Sequence, residues 1–149
     1  MDQTVPTNAS IYRAIVENAY RTMSDLMSTG RRLNPEGGWI VTYDPTHSSF
    51  QQACIAIVFT GIWLEAVAHI ALVRRHGLRK AKQFDRESYR DKLRLLDVTD
   101  PSLLARAERL RVVRRELVHE KAYATSQDLR FAQLEAESAY RLLVELQPL

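Results

Sequence analysis

Residues 53–73 read ACIAIVFTGIWLEAVAHIALV, twenty-one residues in which only Glu65 is charged, and Arg74-Arg75 follow directly. That length meets the criterion for a membrane span, and the basic pair would suit a cytoplasmic end. Three features favour a core helix instead. Glu65 sits near the middle, where a carboxylate is costly in hydrocarbon. Gly61, Glu65 and His69 recur every four residues, the polar seam that a buried helix presents to its partners. The flanking segments are amphipathic and need an apolar element to cover. The stretch therefore reads as the central helix of an all-α bundle with no membrane partner. A small membrane-anchored helical protein is the reading set against it.

Working outward, residues 10–33 place Ile11, Ile15, Ala19, Leu26 and Tyr12, Val16, Met23, Met27 at helical spacing, with Gly30 near the end. NPEGGW breaks that pattern, so 34–47 reads as a loop, with a short extended piece at Ile40–Tyr43 before Asp44-Pro45 turns the chain. Ser48 followed by Gln51 forms a capping-box pattern that would open the apolar helix, which runs to about Arg75 and stops at Gly77. A further helix is expected from Asp85, carrying Tyr89, Leu93 and Leu96. Asp100-Pro101 supplies an N-cap and a first-turn proline for a helix to about Ala124. Ser126 opens the last, with Phe131, Leu134, Leu142 and Leu146 expected inward. With no repeat and no linker, residues 1–149 form one domain, a bundle of about five helices around a long apolar one.

The composition agrees. A length of 149 residues suits a single core, and 46% hydrophobic with 26% charged residues is ordinary for a globular chain. The lone Cys54 excludes an intramolecular disulfide and a cysteine-based zinc site. The start, MDQTVPTNAS, is polar and lacks the pattern of a signal peptide, so the expected compartment is the cytoplasm. The net charge is +3, and 17 of the 21 basic residues are arginine. Nine of the basic residues fall between Arg74 and Arg94 against Asp85, Glu87 and Asp91. Arginine grips phosphate through a planar fork, so Arg74, Arg75, Arg79 and Lys80 are candidate RNA contacts. A solvated helical face would show the same charge run.

Several chemistries lack their parts. There is no glycine-rich phosphate loop, and His47, His69, His76 and His119 include no pair at zincin spacing. Glu65 and His69 are four apart, where a di-iron bundle wants three, so neither a metal nor a cofactor is expected. The helix after Pro101 is more informative. Leu103, Ala107, Leu110 and Leu117 share a face, and Arg114 falls within that stripe. A guanidinium there needs a partner, and Glu65, the acid of the apolar helix, is the expected one. His119 lies about 140° around the same helix, beside Arg115, Glu108 and Val112. Val112 on that outer face suggests that a second subunit covers it. A structural ion pair with an incidental surface histidine fits the same periodicity.

The segment Leu110-Arg111-Val112-Val113-Arg114-Arg115-Glu116-Leu117-Val118-His119-Glu120 resembles the signature of the HEPN superfamily, an arginine, four to six residues and a histidine on a late helix of an all-α bundle. The apolar helix with its embedded glutamate, FTGIWLEAVAHIAL, and the charged helix with Lys92-Leu93 match that context, and the resemblance covers residues 50–145. It implies a metal-independent endoribonuclease, often a toxin of a toxin–antitoxin or phage-defence system, acting as a homodimer with motif helices facing across a cleft. Arg114 and His119 would then be catalytic, with Glu65, Arg115 and His69 supporting them and Arg111 joining the RNA contacts. RNA and an antitoxin protein would be its partners, and cleavage would leave a 2′,3′-cyclic phosphate and a 5′-hydroxyl. The alternative within the family is a non-catalytic module that binds nucleic acid or protein. Two positions depart from the pattern. Arg115 stands where a small polar residue often follows the motif arginine. Lys121 stands where a subgroup regulated by nucleotidyltransferases has tyrosine, and Tyr123 lies two residues further on.

Overall fold

A computed structural model of the chain describes residues 7–29, 32–40, 46–119 and 126–149, with 126–131 as backbone only. The sequence expectations at Gly30, at 41–45, at 120–125 and for the Phe131 side chain lie outside them. Helix α1 spans Ala9–Ser28, α2 Ser48–His76, α3 Leu78–Ala81, α4 Tyr89–Leu95, α5 Pro101–Val118 and α6 Ser126–Glu145. A 3-10 turn covers Lys82–Phe84, and two antiparallel two-residue strands, β1 (Arg32–Leu33) and β2 (Trp39–Ile40), form a small hairpin. Of the described residues 77% are helical, an all-α single-domain fold.

Helix α2 is the axis of the bundle. It packs against α1, α3, α4, α5 and α6 and buries Ala53, Ala56, Ile57, Thr60, Gly61, Trp63, Leu64, Ala68 and Leu72. Because it meets five neighbours, apolar residues are needed on several sides of it at once, while Ile55 stays exposed. By length and composition this helix could also cross a membrane. Around it, Leu93 of α4, Val113 of α5 and Leu142 and Leu143 of α6 complete the core. Tyr20 of α1 stacks on Tyr140 of α6 with ring centroids 4.0 Å apart. The Gln133 side-chain amide donates to the Ser49 hydroxyl at 3.1 Å, both side chains buried, joining α6 to the first turn of α2.

The helix ends follow local chemistry, with four differences from the sequence reading. Asp100 caps α5 by accepting from the Ser102 amide at 2.8 Å, with Pro101 in the first turn. Gly77, at φ +79°, ends α2 and donates its N–H to the Val73 carbonyl. The capping box does not form: His47 precedes α2 at φ 55°, and Ser48 is the first helical residue, its hydroxyl bonded to that of Thr46 at 2.6 Å. The first helix stops at Ser28, because Arg32–Leu33 pairs with Trp39–Ile40. The expected helix from Asp85 begins instead at Tyr89, where the Ser88 hydroxyl accepts from the Asp91 amide. Leu134 is 54% exposed rather than inward, since the buried face of α6 runs through Ala132, Ala136, Ala139, Leu143 and Leu146 and position 134 lies opposite.

Helix α1 carries two neighbouring apolar stripes and buries the seam between them, Val16 and Met23 of one and Ala19 of the other, leaving Ile11 exposed. On α5 the buried residues are Leu104, Ala107, Leu110 and Val113, with Leu103 and Leu117 partly covered. Arg114 lies on that core-facing side, half-buried, just before the helix emerges at the exposed Val118 and His119.

Candidate functional site

The polar seam of α2 meets α4 and α5 at one place. Tyr89 and Lys92, three residues apart on α4, share a face and are both buried. They reach the stretch of α2 that carries Gly61 and Glu65, four residues apart. The Lys92 ammonium donates to Glu65 Oε2 at 2.6 Å and to the Asp85 carbonyl at 3.2 Å. One turn along α2, His69 Nδ1 stands 3.7 Å from Asp85 Oδ1. The seam is therefore divided among different partners.

Arg114 does not pair with Glu65. Its Nη1 donates to the Tyr89 hydroxyl at 2.7 Å, and no carboxylate among the described residues forms an ion pair with it. The expected Arg114–Glu65 pair does not form: Lys92 of α4 takes the carboxylate at 2.6 Å, and the Tyr89 hydroxyl, on the same face of α4, takes Arg114 Nη1. Gly61 is what admits the arginine. A Cβ on Gly61 would stand 2.9 Å from Arg114 Nε, 3.0 Å from the Tyr89 hydroxyl, and closer still to Arg114 Cδ. Arg114 Nε is buried over that glycine with no hydrogen-bond partner among the described residues. The tyrosine is a neutral acceptor. Burial pushes its phenol pKa up; the Arg114 charge opposes this and the Glu65 charge adds to it. The Arg114 side chain is thus held by a neutral partner.

The other candidates are dispersed. His119 is exposed and closes the last turn of α5, its N–H bonded to the Arg115 carbonyl at 3.0 Å. Five residues of helix separate it from Arg114 by about 7.5 Å along the axis and about 140° around it. Arg115 is exposed. Arg111 is clasped by Glu108, with Nη2 to Oε1 at 2.5 Å. That hydrogen bond holds the Glu108 carboxyl below the usual range and raises the Arg111 guanidinium. Arg75 pairs with Asp97 at 2.5 Å, and Arg74 is exposed. Arg79 and Lys80 line an open cleft of about 480 Å³ with His76, Gly77, Leu78 and Gln83, which shares no lining residue with the Arg114 cluster.

Sequence reasoning missed the role of Tyr89, read there only as a core residue, and the partnership of Lys92. A signal was present. Tyr89 and Lys92 at i, i+3 mirror Gly61 and Glu65 at i, i+4, as two helix faces do when they meet. No family model, no curated protein and no solved structure matches the chain. Chemically, the cluster offers a fixed guanidinium suited to an anionic oxygen, near the end of a helix that presents an imidazole to solvent.

Proposed function

We propose that the protein is a metal-independent endoribonuclease of the HEPN type, a cytoplasmic homodimer in which Arg114 and His119 of both subunits meet across a cleft. A role as a toxin restrained by an antitoxin protein, or in phage defence, belongs to the same reading. The observation that carries it is Arg114: a half-buried arginine bonded to a phenol instead of neutralised by a carboxylate. A structural arginine at a core edge gains most from a carboxylate, and Glu65 is committed to Lys92 instead. What remains is a cation positioned for an anionic ligand.

RNA brings its own nucleophile. A histidine, whose ordinary pKa lies near neutrality, takes the proton from the 2′-hydroxyl, and the 2′-oxygen attacks the adjacent phosphorus. The bond to the 5′-oxygen breaks, and a second histidine, from the other subunit, protonates that oxygen. Arg114 stabilises the charge that builds on the phosphoryl oxygens. The products are a 2′,3′-cyclic phosphate and a 5′-hydroxyl. The separation of Arg114 and His119 on one helix is the reason the reading requires two subunits, with the exposed Arg115 and Val118 in the region between them.

Purified protein incubated with total RNA in excess chelator is expected to cut it and to leave cyclic phosphate ends. His119→Ala and Arg114→Ala are each expected to lower the rate by about a hundredfold or more. An absence of cleavage, or cleavage indifferent to both substitutions, refutes the function. RNA binding without cleavage by the parent protein would establish the non-catalytic alternative.

A further inference from the structure

We propose that Tyr89 is a positioning residue for this reaction, fixing the Arg114 guanidinium against Gly61 so that its Nη2 edge faces the scissile phosphate; the inference rests on the endoribonuclease reading. Three observations converge on it. The phenol oxygen accepts from Arg114 Nη1 at 2.7 Å, which removes the freedom of the long side chain at one end of its fork. Gly61 lacks the Cβ that would collide with Arg114 Cδ and crowd both Nε and the phenol, so the side chain lies flush on α2. Nη2 has no partner among the described residues, which leaves one edge of the fork for a ligand.

The choice of a phenol has a chemical consequence. A carboxylate in its place would hold Arg114 as firmly but would cancel the charge that a phosphorane needs and compete with the phosphate for the fork. Burial keeps Tyr89 protonated, so it orients without neutralising. The Lys92–Glu65 pair complements this arrangement: it anchors α4 on α2 beside Tyr89 and occupies the nearby carboxylate. Tyr89 is itself 4% exposed, so it acts through the arginine and not on the RNA.

Tyr89→Phe removes the hydroxyl and keeps the ring that fills the core. The expected result is a fall in kcat of about tenfold, the loss of one hydrogen bond to a charged group, with KM for RNA changed by less than about twofold because contacts elsewhere hold the substrate. Gly61→Ala, which displaces the same guanidinium from the other side, should lower kcat similarly. The double variant should lose less than the product of the two single effects, since both act through Arg114. A parent enzyme that cuts RNA while Tyr89→Phe cuts with the same kcat overturns the inference and leaves the function standing. A fall that follows only the folded fraction in a thermal melt, or multiplicative effects in the double variant, also overturns it. A parent protein that cuts no RNA overturns the function and the inference with it.

Discussion

The Lys92–Glu65 pair makes an asymmetric demand on stability. The Lys92 side chain is 6% exposed and that of Glu65 41%, so the cation is the buried member and the anion opens to water. Glu65→Gln strands an ammonium inside the protein with an amide oxygen and the Asp85 carbonyl as its remaining acceptors. Breaking a buried pair from one side costs about 3–5 kcal/mol, and an exposed pair about 0–1 kcal/mol. With one partner in each environment, the expected loss is about 2 kcal/mol, which for a domain of this size lowers Tm by about 6 °C. Lys92→Met removes the buried charge, fills nearly the same volume, and leaves Glu65 free to hydrate, so its cost should be about 1 kcal/mol or less. Thermal melts and urea titrations of the two variants read the order directly. A costlier Lys92→Met than Glu65→Gln would refute the burial argument, and so would a Glu65→Gln variant as stable as the parent.

Two further outcomes follow from the helix surfaces. The Glu108 carboxyl is held low chiefly by its hydrogen bond from Arg111, so its stabilisation is present above the unfolded glutamate value of about 4.3 and is lost as pH falls through the lowered folded value. Arg111→Met should therefore flatten the decline of Tm between about pH 5 and about pH 3, and an unchanged slope would contradict the assignment. Asp100→Ala removes the cap on the Ser102 amide and should cost about 1 kcal/mol, about 3 °C in Tm; a loss below about 0.3 kcal/mol would show that the cap contributes little.

The sequence by itself determined the long helices and the central place of α2, because these depend on signals a few residues apart, whereas the short α3 and the start of α4 were not read from it. The apolar run at 53–73, Gly77 as a stop and Asp100-Pro101 as a start act through local backbone geometry, and the structure places all three as read. Local signals also failed where two were in competition: Ser48-Gln51 was out of phase with the true start of α2, and Arg32–Leu33 continued a helical pattern but found a strand partner at Trp39–Ile40. Periodicity likewise put Arg114 on the core side of its helix and left the choice of partner open. That choice was decided by tertiary structure. Glu65 is 27 residues from Lys92, and Tyr89 is 25 from Arg114. Which cation reaches which oxygen depends on how three helices rotate and how closely they approach. Gly61 sets that approach for Arg114, since one missing Cβ lets the guanidinium lie on α2 within reach of the phenol. Charge alone, read along the chain, favoured the arginine with the glutamate. Packing put a lysine in that place and gave the arginine a neutral partner.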